Sequence, residues 1–450
     1  MRNQILAVMT STILAPASFA VVPTNCQLFP STAESGLVSA DPASVGFNNV
    51  KLAKVDQQIN SDIQKGFPGA GLIIIKDGKV IKQSVYGYSL KYNPDTLKPL
   101  KNPLPLQCNT LFDLASNTKM YATNYVLMQL VANGKLDINQ PIQYYIPEYK
   151  GCDKNGQCRE TILVRDLLSH SAGYMPDPQF FNPTTIKSYG SQLYSQNRQL
   201  TESIIINKLP FARARGGEPV YSDVDFMLLG ILIERISGQN LADYVNQNIY
   251  QPLNLTHTMF NPLSNGVAKN DCAATEVMGN TRGGTISFPN IRHNPLQCQV
   301  HDEKAWYSMG GVSGHAGLFS NLHDLAILTQ VALNNGSYAG IKLWTPEVES
   351  QFLAPNSFDD TYGLGWRRAG NGAKYAPFGH YASSQAFGHT GWTGTLTLID
   401  PKYNLIIVLL TNKKHSQFAN GKFAGDDYAT GKYYPIVDLI YQALPNTVKQ

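Results

Sequence analysis

Several familiar signatures are missing from this sequence of 450 residues. There is no G-x-S-x-G segment, which disfavours a conventional α/β-hydrolase. There is also no C-x-x-C pair and no H-E-x-x-H helix, so we expect neither a metal site nor a cofactor. Charged residues make up only 15% of the chain, and the formal net charge is +4. The sequence contains no run of basic residues, which argues against nucleic-acid binding.

The apolar stretch near the N-terminus is too short to span a bilayer, which needs roughly 20 residues. Arg2 precedes this stretch over residues 5–14, and small residues follow at Ser18 and Ala20. The layout is typical of a secretory signal peptide that is cleaved after Ala20. We therefore expect residues 1–20 to be a signal and residues 21–450 to be a protein of the periplasm or cell envelope. An uncleaved inner-membrane anchor is the alternative.

Six cysteines follow the predicted cleavage point, an even number that is compatible with disulfides in an exported chain. Cys152 and Cys158 bracket the turn-like segment "DKNGQ" and form the most plausible local pair. The pairing of the others stays open at this point; they are Cys26, Cys108, Cys272 and Cys298.

Two segments far apart in the chain predict β-hairpins. "GAGLIIIKDGKVIKQSVYGYS", from Gly69, is interrupted by Asp77-Gly78, a pair that suits a tight turn. "GTLTLIDPKYNLIIVLLTN", from Gly394, gives strand, turn and strand again. We expect one antiparallel sheet that is built from both ends of the chain.

The middle of the chain has helical periodicity instead. "MYATNYVLMQLVANGKLD" stops at Gly134, "TILVRDLLSHSAGY" predicts a helix ending at Gly173, and "SDVDFMLLGILIERISGQ" runs to Gly238. The region from about 175 to 194 and "NTRGGTISFPNIRHNPLQ" are irregular. This predicts an α/β protein with a sheet subdomain from about 41–118 and 305–450, a helical subdomain from about 119–304, and a ligand groove between them.

The segment "FDLASNTKMYAT" contains the chain's only S-x-x-K, at Ser116 and Lys119. On a helix, residues three apart share a face, so the Lys119 amine can reach the Ser116 hydroxyl. A serine hydroxyl becomes a strong nucleophile only when a neighbouring group takes its proton. The alternative is that Ser116 merely caps the helix.

Two later motifs supply partners that a helix cap would not need. Tyr221-Ser222-Asp223 precedes a helix, and His389-Thr390-Gly391 is predicted at the start of a strand. Tyr244-Val245-Asn246 competes with the first of these, but it lies inside a helical pattern, so Tyr221 is preferred.

These three motifs, in this order, resemble those of the serine beta-lactamase and penicillin-binding protein superfamily, and the resemblance runs from about residue 41 to the C-terminus. It is greatest to the class C branch, which includes DD-peptidases with histidine in the third motif. The resemblance implies a beta-lactamase/transpeptidase-like fold and a serine D-alanyl-D-alanine carboxypeptidase. Its partners would be peptidoglycan stem peptides ending in D-Ala-D-Ala, and beta-lactam antibiotics.

The resemblance also implies a role for each motif residue. Ser116 would form the acyl-enzyme, and Lys119 and Tyr221 would move its proton. The backbone N–H groups of Ser116 and Trp392 would form the oxyanion hole. The residues implied in substrate binding are Asp223, His389, Thr390, Gly391 and Trp392.

Two residues depart from the family's usual pattern, which has asparagine at the Asp223 position and lysine at the His389 position. A carboxylate at 223 favours a charged Lys119, so we expect Tyr221 to carry more of the general-base role. Protonation of His389 near pH 6.5 would strengthen its hold on a substrate carboxylate, so capture is expected to weaken as pH rises through the His389 pKa.

Other polar residues receive no catalytic role from the sequence. His301-Asp302-Glu303 and His315 are as compatible with structural hydrogen bonds as with a groove wall. His170 is expected to pack at a helix end. Arg367-Arg368 are expected to be solvated, although a contact with a substrate carboxylate is the alternative.

Other enzymes with the same motifs remain alternatives. A carboxylesterase, a weak class C-like beta-lactamase and a D-amino-acid amidase would share the acylation step. A non-catalytic sensor of beta-lactams or cell-wall peptides is a further alternative, which the changes at 223 and 389 would motivate.

Overall fold

The computed structural model describes residues 23–372, 374–445, 447 and 449, so the predicted signal at residues 1–20 lies outside the described part of the chain. A nine-stranded sheet forms its centre. In chain order the strands are β1 (Thr24–Asn25), β2 (Val38–Ser39), β3 (Gly69–Lys76), β4 (Lys79–Tyr92), β5 (Pro99–Pro105), β6 (Arg367–Arg368), β7 (Phe387–Gly391), β8 (Thr395–Asp400) and β9 (Leu405–Thr411).

The sheet joins the two ends of the chain, as the sequence predicts. Its spatial order is β1-β4-β3-β9-β8-β7-β6, and β2 and β5 also pair with β4. Both predicted hairpins are confirmed, β3 with β4 and β8 with β9, and the two meet where β3 lies antiparallel to β9. Asp77 and Gly78 have φ angles of 53° and 70° in the first turn, the left-handed region that a tight hairpin needs.

Helices cover both faces of this sheet. The longer ones are α1 (Asn49–Lys65), α2 (Tyr125–Ala132), α3 (Arg198–Asn207), α4 (Asp223–Ser237), α5 (Leu322–Leu333), α6 (Pro346–Leu353) and α7 (Tyr434–Gln442); shorter ones span Ile142–Tyr145, Val164–Leu168, Pro183–Ile186, Leu241–Val245 and Ala429–Lys432. Because side chains alternate along a strand, Ile73 and Ile75 of β3 join the core of α2, α4 and α5, whereas Leu72 and Ile74 pack with α1 and α7. The architecture is α/β, with an antiparallel sheet flanked by helices; the predicted subdomain boundaries stay a prediction.

The helical region corrects one predicted boundary. The helix expected to end at Gly173 ends at Leu168, and two residues later His170 takes a left-handed φ of 54° that an α-helix does not allow. The helix from Asp223 does end before Gly238, whose φ is 70°. None of the described helices combines the length and apolar character that crossing a membrane requires.

Three disulfides link the six cysteines. The predicted Cys152–Cys158 bridge is present, and the pairs left open by the sequence are Cys26–Cys108 and Cys272–Cys298. The last bridge closes a segment without regular helices or strands between Asp271 and Lys304, the region predicted to be irregular. Part of this segment lies along the cleft described below.

Candidate active site

Ser116 lies in a 3₁₀ turn, Ala115–Asn117, that continues without a break through the π-helical turn Lys119–Asn124 into α2, so it lies at the start of a helix as predicted. The preceding Ala115 has a φ of 45°, a left-handed conformation that costs an L-residue about 1–2 kcal/mol. Its N–H donates to Oδ1 of Asp113 at 2.8 Å. Asp113 therefore binds the first N–H of the turn that carries Ser116.

The C-terminal strands hold this turn in place. Thr393 Oγ1 donates to the carbonyl oxygen of Asp113 at 2.7 Å, and Thr395 Oγ1 donates to that of Leu114 at 3.0 Å. A Cβ atom on Gly391 would lie 2.3 Å from the Leu114 oxygen, so only glycine permits this approach. The third motif is thus fastened directly to the segment that carries Ser116.

Lys119 has the contact predicted from its spacing, although a π-helical turn over Lys119–Asn124 replaces the expected α-helix. Its side chain is fully buried. Nζ lies 3.0 Å from Ser116 Oγ, 2.8 Å from Asp223 Oδ1 and 3.0 Å from the carbonyl oxygen of His315. Burial acts to lower the pKa of Lys119, but Asp223 and Tyr221 together outweigh it and raise the pKa above its usual value.

Tyr221 lies against this lysine, with Lys119 Nζ 4.9 Å from the centre of its ring. Its hydroxyl is buried and has no hydrogen-bond partner within the described part of the chain. Burial raises the pKa of Tyr221, and the Lys119 ammonium opposes that rise. The His170 ring packs 4.5 Å from the Tyr221 ring, centre to centre. His170 is therefore a buried packing residue, as expected, but its neighbour is the candidate base.

Asp223 is the first residue of α4 and lies between two lysines. Oδ1 is 2.8 Å from Lys119 Nζ, and Oδ2 is 3.2 Å from Lys304 Nζ. Burial acts to raise the pKa of Asp223, but the two ammonium groups hold it well below its usual value. The carboxylate is therefore ionised, and Lys119 beside it keeps its proton, as the sequence led us to expect.

The third motif ends strand β7 rather than beginning a strand, because Trp392 to Gly394 turn the chain into β8. His389 Nδ1 donates to the carbonyl oxygen of Thr390 at 2.7 Å. Burial, with smaller effects from nearby cations, lowers the pKa of His389 to about 3. The expected protonation near pH 6.5 is therefore wrong, because a buried imidazole loses the hydration that stabilises its charged form.

A cation that the sequence analysis expected to be solvated lies on this side of the cleft. Arg367 belongs to β6, the neighbour of β7, and its Cζ is 3.7 Å from the centre of the Tyr362 ring and 4.3 Å from that of Tyr375. The Tyr375 and Thr390 hydroxyls are 2.6 Å apart. No local sequence signal identifies Arg367, since its neighbours come from three separate segments.

Trp392 marks the other end of the cleft, and 45% of its surface is exposed. Arg282 Cζ lies 4.8 Å and Lys414 Nζ 4.4 Å from the centre of one of its rings. Arg282 comes from the irregular segment and is paired with Glu276 and Glu303. The proposed oxyanion hole at the N–H groups of Ser116 and Trp392 stays a prediction.

One cavity of about 510 Å³ brings these groups together. Seven of the eight predicted site residues line it, and Lys119 lies directly beneath Ser116. The predicted residues on its wall are Ser116, Tyr221, Asp223, His389, Thr390, Gly391 and Trp392. Further residues on the wall, which the sequence left without a role, include His301, Asp302, Glu303, Lys304, Arg367 and Tyr375.

His315 lies behind the wall, where its Nε2 is 2.9 Å from Asp302 Oδ1. The competing Tyr244 lies in the helix Leu241–Val245 and is not part of this wall.

Comparison with known proteins identifies the family of this chain. The Beta-lactamase family model matches residues 51–429. A Bacillus subtilis (strain 168) protein named N-acetylmuramyl-L-alanine amidase is 47% identical over 442 residues, which cover 96% of this chain and 98% of that protein. A Salmonella agona (strain SL483) protein, provisionally named D-alanyl-D-alanine carboxypeptidase, is 46% identical over 414 residues, covering 91% and 94%.

A solved structure extends the likeness to the fold. The crystal structure of a penicillin-binding protein homolog from Caulobacter crescentus superposes with a TM-score of 0.59 at 20% identity, over 89% of this chain and 99% of that one. The chain belongs to the Beta-lactamase family, within the superfamily of serine beta-lactamases and penicillin-binding proteins.

Proposed function

We propose that this protein is a serine D-alanyl-D-alanine carboxypeptidase of peptidoglycan stem peptides. The observation that carries the proposal is a cation close to a hydroxyl pair in the same cavity as Ser116. Arg367 supplies a fixed positive charge there and packs on the ring of Tyr375. The Tyr375 hydroxyl is in turn within hydrogen-bond distance of the Thr390 hydroxyl. A D-Ala-D-Ala terminus presents one carboxylate directly after the scissile amide, which suits such a pairing.

The reaction begins when Ser116 Oγ attacks the amide carbon. Because Lys119 already holds its proton against Asp223, the proton acceptor is Tyr221 in its phenolate form, which the adjacent ammonium stabilises; it takes the serine proton and becomes the neutral phenol. That proton then passes to the departing nitrogen as the carbon–nitrogen bond breaks and D-alanine leaves. Water releases the acyl group from Ser116 in a second cycle that uses the same groups.

His389 takes a neutral role in this scheme. With a pKa of about 3 it carries no charge near neutral pH. It shapes the β7 wall, while Arg367 attracts the carboxylate. The proposal thus transfers to Arg367 the electrostatic role that the third motif's lysine has elsewhere in the family.

A second candidate is an N-acetylmuramyl-L-alanine amidase. The Bacillus subtilis relative carries that name at 47% identity over nearly the whole chain. The acyl groups are also alike, since the lactyl group of muramic acid and the penultimate D-alanine both place a methyl and a D-configured carbon beside the carbonyl. The exposed face of Trp392 offers an apolar surface for a sugar ring at the far end of the cleft.

A single substrate separates the two candidates. MurNAc-pentapeptide ending in D-Ala-D-Ala would be incubated with the wild type and with Ser116→Ala, and the products would be measured by liquid chromatography and mass spectrometry. Loss of one D-alanine supports the carboxypeptidase, whereas free MurNAc and intact pentapeptide support the amidase. Ser116→Ala should release neither, with activity reduced by about 10⁴-fold or more.

Simpler acyl donors test the remaining alternatives. Rapid turnover of a chromogenic beta-lactam or of a simple ester, with an intact MurNAc-pentapeptide, would favour a beta-lactamase or a carboxylesterase. Absence of any acyl mass on Ser116 with labelled penicillin, together with intact peptide, would favour a binding protein.

We further propose that the protein is exported to the cell envelope. The predicted signal at residues 1–20 and three disulfides support this location, since disulfides persist in oxidising compartments. The mass of the mature N-terminus, measured on protein from the envelope fraction, tests it: a chain that starts after Ala20 is expected.

A further inference from the structure

Lys304 occupies a position that the proposed reaction does not yet use. It begins the π-helical turn Lys304–Ser308, and its side chain is 6% exposed on the cavity wall. Nζ lies 2.5 Å from Asp177 Oδ1, 3.2 Å from Asp223 Oδ2 and 3.3 Å from Asp302 Oδ2. Three carboxylates from three separate segments therefore converge on one ammonium.

Asp223 is the point where this cluster meets the nucleophile. Its two oxygens are divided between two lysines, Oδ1 with Lys119 and Oδ2 with Lys304. Without Lys304, the buried Asp223 carboxylate would keep Lys119 as its ammonium partner but would lose the partner of its second oxygen. A buried charge that is not fully paired is costly. Lys304 therefore offsets the charge that aspartate adds where the family usually has asparagine.

We propose that Lys304 is a positioning residue for acyl transfer: by binding the second oxygen of Asp223, it offsets the negative charge of that carboxylate beside Tyr221, so that the Tyr221 phenolate forms and takes the Ser116 proton near neutral pH. This role rests on the serine acyl chemistry proposed above, but it holds for either candidate substrate. It explains how a chain with aspartate at position 223 can keep an active serine.

The surrounding charges are compatible with this role. The groups that face Lys119 and Asp223 from the other elements are Tyr221, His170, His315 and His389, and Asp177 and Asp302 face Lys304. Burial acts to lower the pKa of Lys304, but its three carboxylates raise it well above the usual value, so it stays charged.

Lys304 also fills the place of a cation among possible metal ligands. Asp223, Asp302 and His315 bring ligand atoms within 4.8 Å of one another. Because Lys304 Nζ is already within 3.3 Å of both carboxylates, it supplies the positive charge that these oxygens require. The cluster is therefore better explained as an ion-pair network than as a metal centre.

The experiment measures acylation of Ser116 against pH, with a p-nitrophenyl ester followed at the isosbestic wavelength of nitrophenol. Lys304→Met is expected to move the acidic limb of the pH–rate profile to higher pH by about one unit, since a positive charge near the base, Tyr221, is lost. Asp223→Asn is expected to move it down, and Asp223→Asn/Lys304→Met should return it towards the wild type. Lys304→Arg should restore most of the rate.

Lys413→Met is the matched control, because Lys413 lines the same cavity but pairs with Asp426. The acidic limb of its pH–rate profile should stay at the pH of the wild type. If Lys304→Met does not fold, the double variant must still show its limb at a higher pH than Asp223→Asn alone. The role of Lys304 is overturned if the acidic limb of Lys304→Met lies at the same pH as that of the wild type. It is also overturned if the limb of the double variant lies at the same pH as that of Asp223→Asn. A wild type that gives no acylation with this ester or with penicillin overturns the proposed function itself.

Discussion

The two walls of the cleft handle charge in opposite ways. On one wall, Lys119 and Lys304 are held in short ion pairs with Asp223 and its neighbours. On the other, His389 is neutral, and the one cation described on that wall, Arg367, packs on two tyrosine rings instead of on a carboxylate. A cation without a carboxylate partner remains available to a ligand. The first wall is therefore suited to moving protons and the second to capturing an anion.

Among the variants that test this contrast, the largest effect is expected on the proton-transfer wall, the one that carries Lys119, Asp223 and Lys304. Tyr221→Phe should lower the acylation rate by about 10²–10⁴-fold, the usual contribution of a general base. The melting temperature should barely change, because the hydroxyl has no hydrogen-bond partner within the described part of the chain and its loss leaves no group unpaired. Stopped-flow acylation and thermal melting measure the two quantities.

Tyr244→Phe, in the competing motif, is the control for that variant. Equal loss of rate in the two variants, or full activity in Tyr221→Phe, would remove Tyr221 from the proton path and erase the contrast between the walls.

A smaller effect is expected on the recognition wall. Arg367→Met should raise KM for a peptide with a free D-alanine carboxylate by about 10–100-fold, the range expected for loss of a charge-assisted pair of about 1.5–3 kcal/mol. The effect on kcat should be small, because Arg367 acts before the bond changes. Steady-state kinetics with a free and an amidated peptide make the measurement, and the amidated peptide should be indifferent to the change.

Arg368→Met tests whether position matters. This neighbour of Arg367 donates to the carbonyl oxygen of Asp360 at 3.1 Å and is absent from the cavity wall. A similar rise in KM for both variants would indicate a general charge effect instead of a specific contact.

The smallest expected effect is an absence of pH dependence. Since the pKa of His389 is about 3, its charge does not change at neutral pH. KM should therefore stay flat between about pH 5.5 and about pH 8, the interval over which an ordinary histidine titrates. A KM that rises through this interval would restore His389 as the charged partner and make the two walls alike.

Local patterns predicted the parts of the molecule whose causes are local. Asp77-Gly78 forms the predicted hairpin because two adjacent residues suffice to fix the turn. The spacing of Ser116 and Lys119 predicted their contact although 3₁₀ and π turns replace the expected α-helix, because residues three apart remain about one turn apart in these helices.

The sequence missed what depends on distant segments. Lys304 meets Asp177 and Asp223, and Arg367 meets Tyr375 and β7, through contacts that no spacing rule describes. The pKa of His389 depends on burial, which the residue's own motif does not reveal. The hydrogen bond from the Ala115 N–H to Asp113 was not anticipated, because the sequence analysis considered only Ser116 as a cap.

The attachment of the Ser116 turn to strands near the C-terminus has a consequence for the order of events during synthesis. Thr393 and Thr395 hydrogen-bond to residues 280 and 281 positions earlier in the chain, and β3 gains its second neighbouring strand only when β9 has been synthesised. Contacts between such distant segments form late and slowly. A ribosome-bound chain that lacks its last strands thus carries the Ser116 turn without these contacts, so the turn gains its support only after translation is nearly complete.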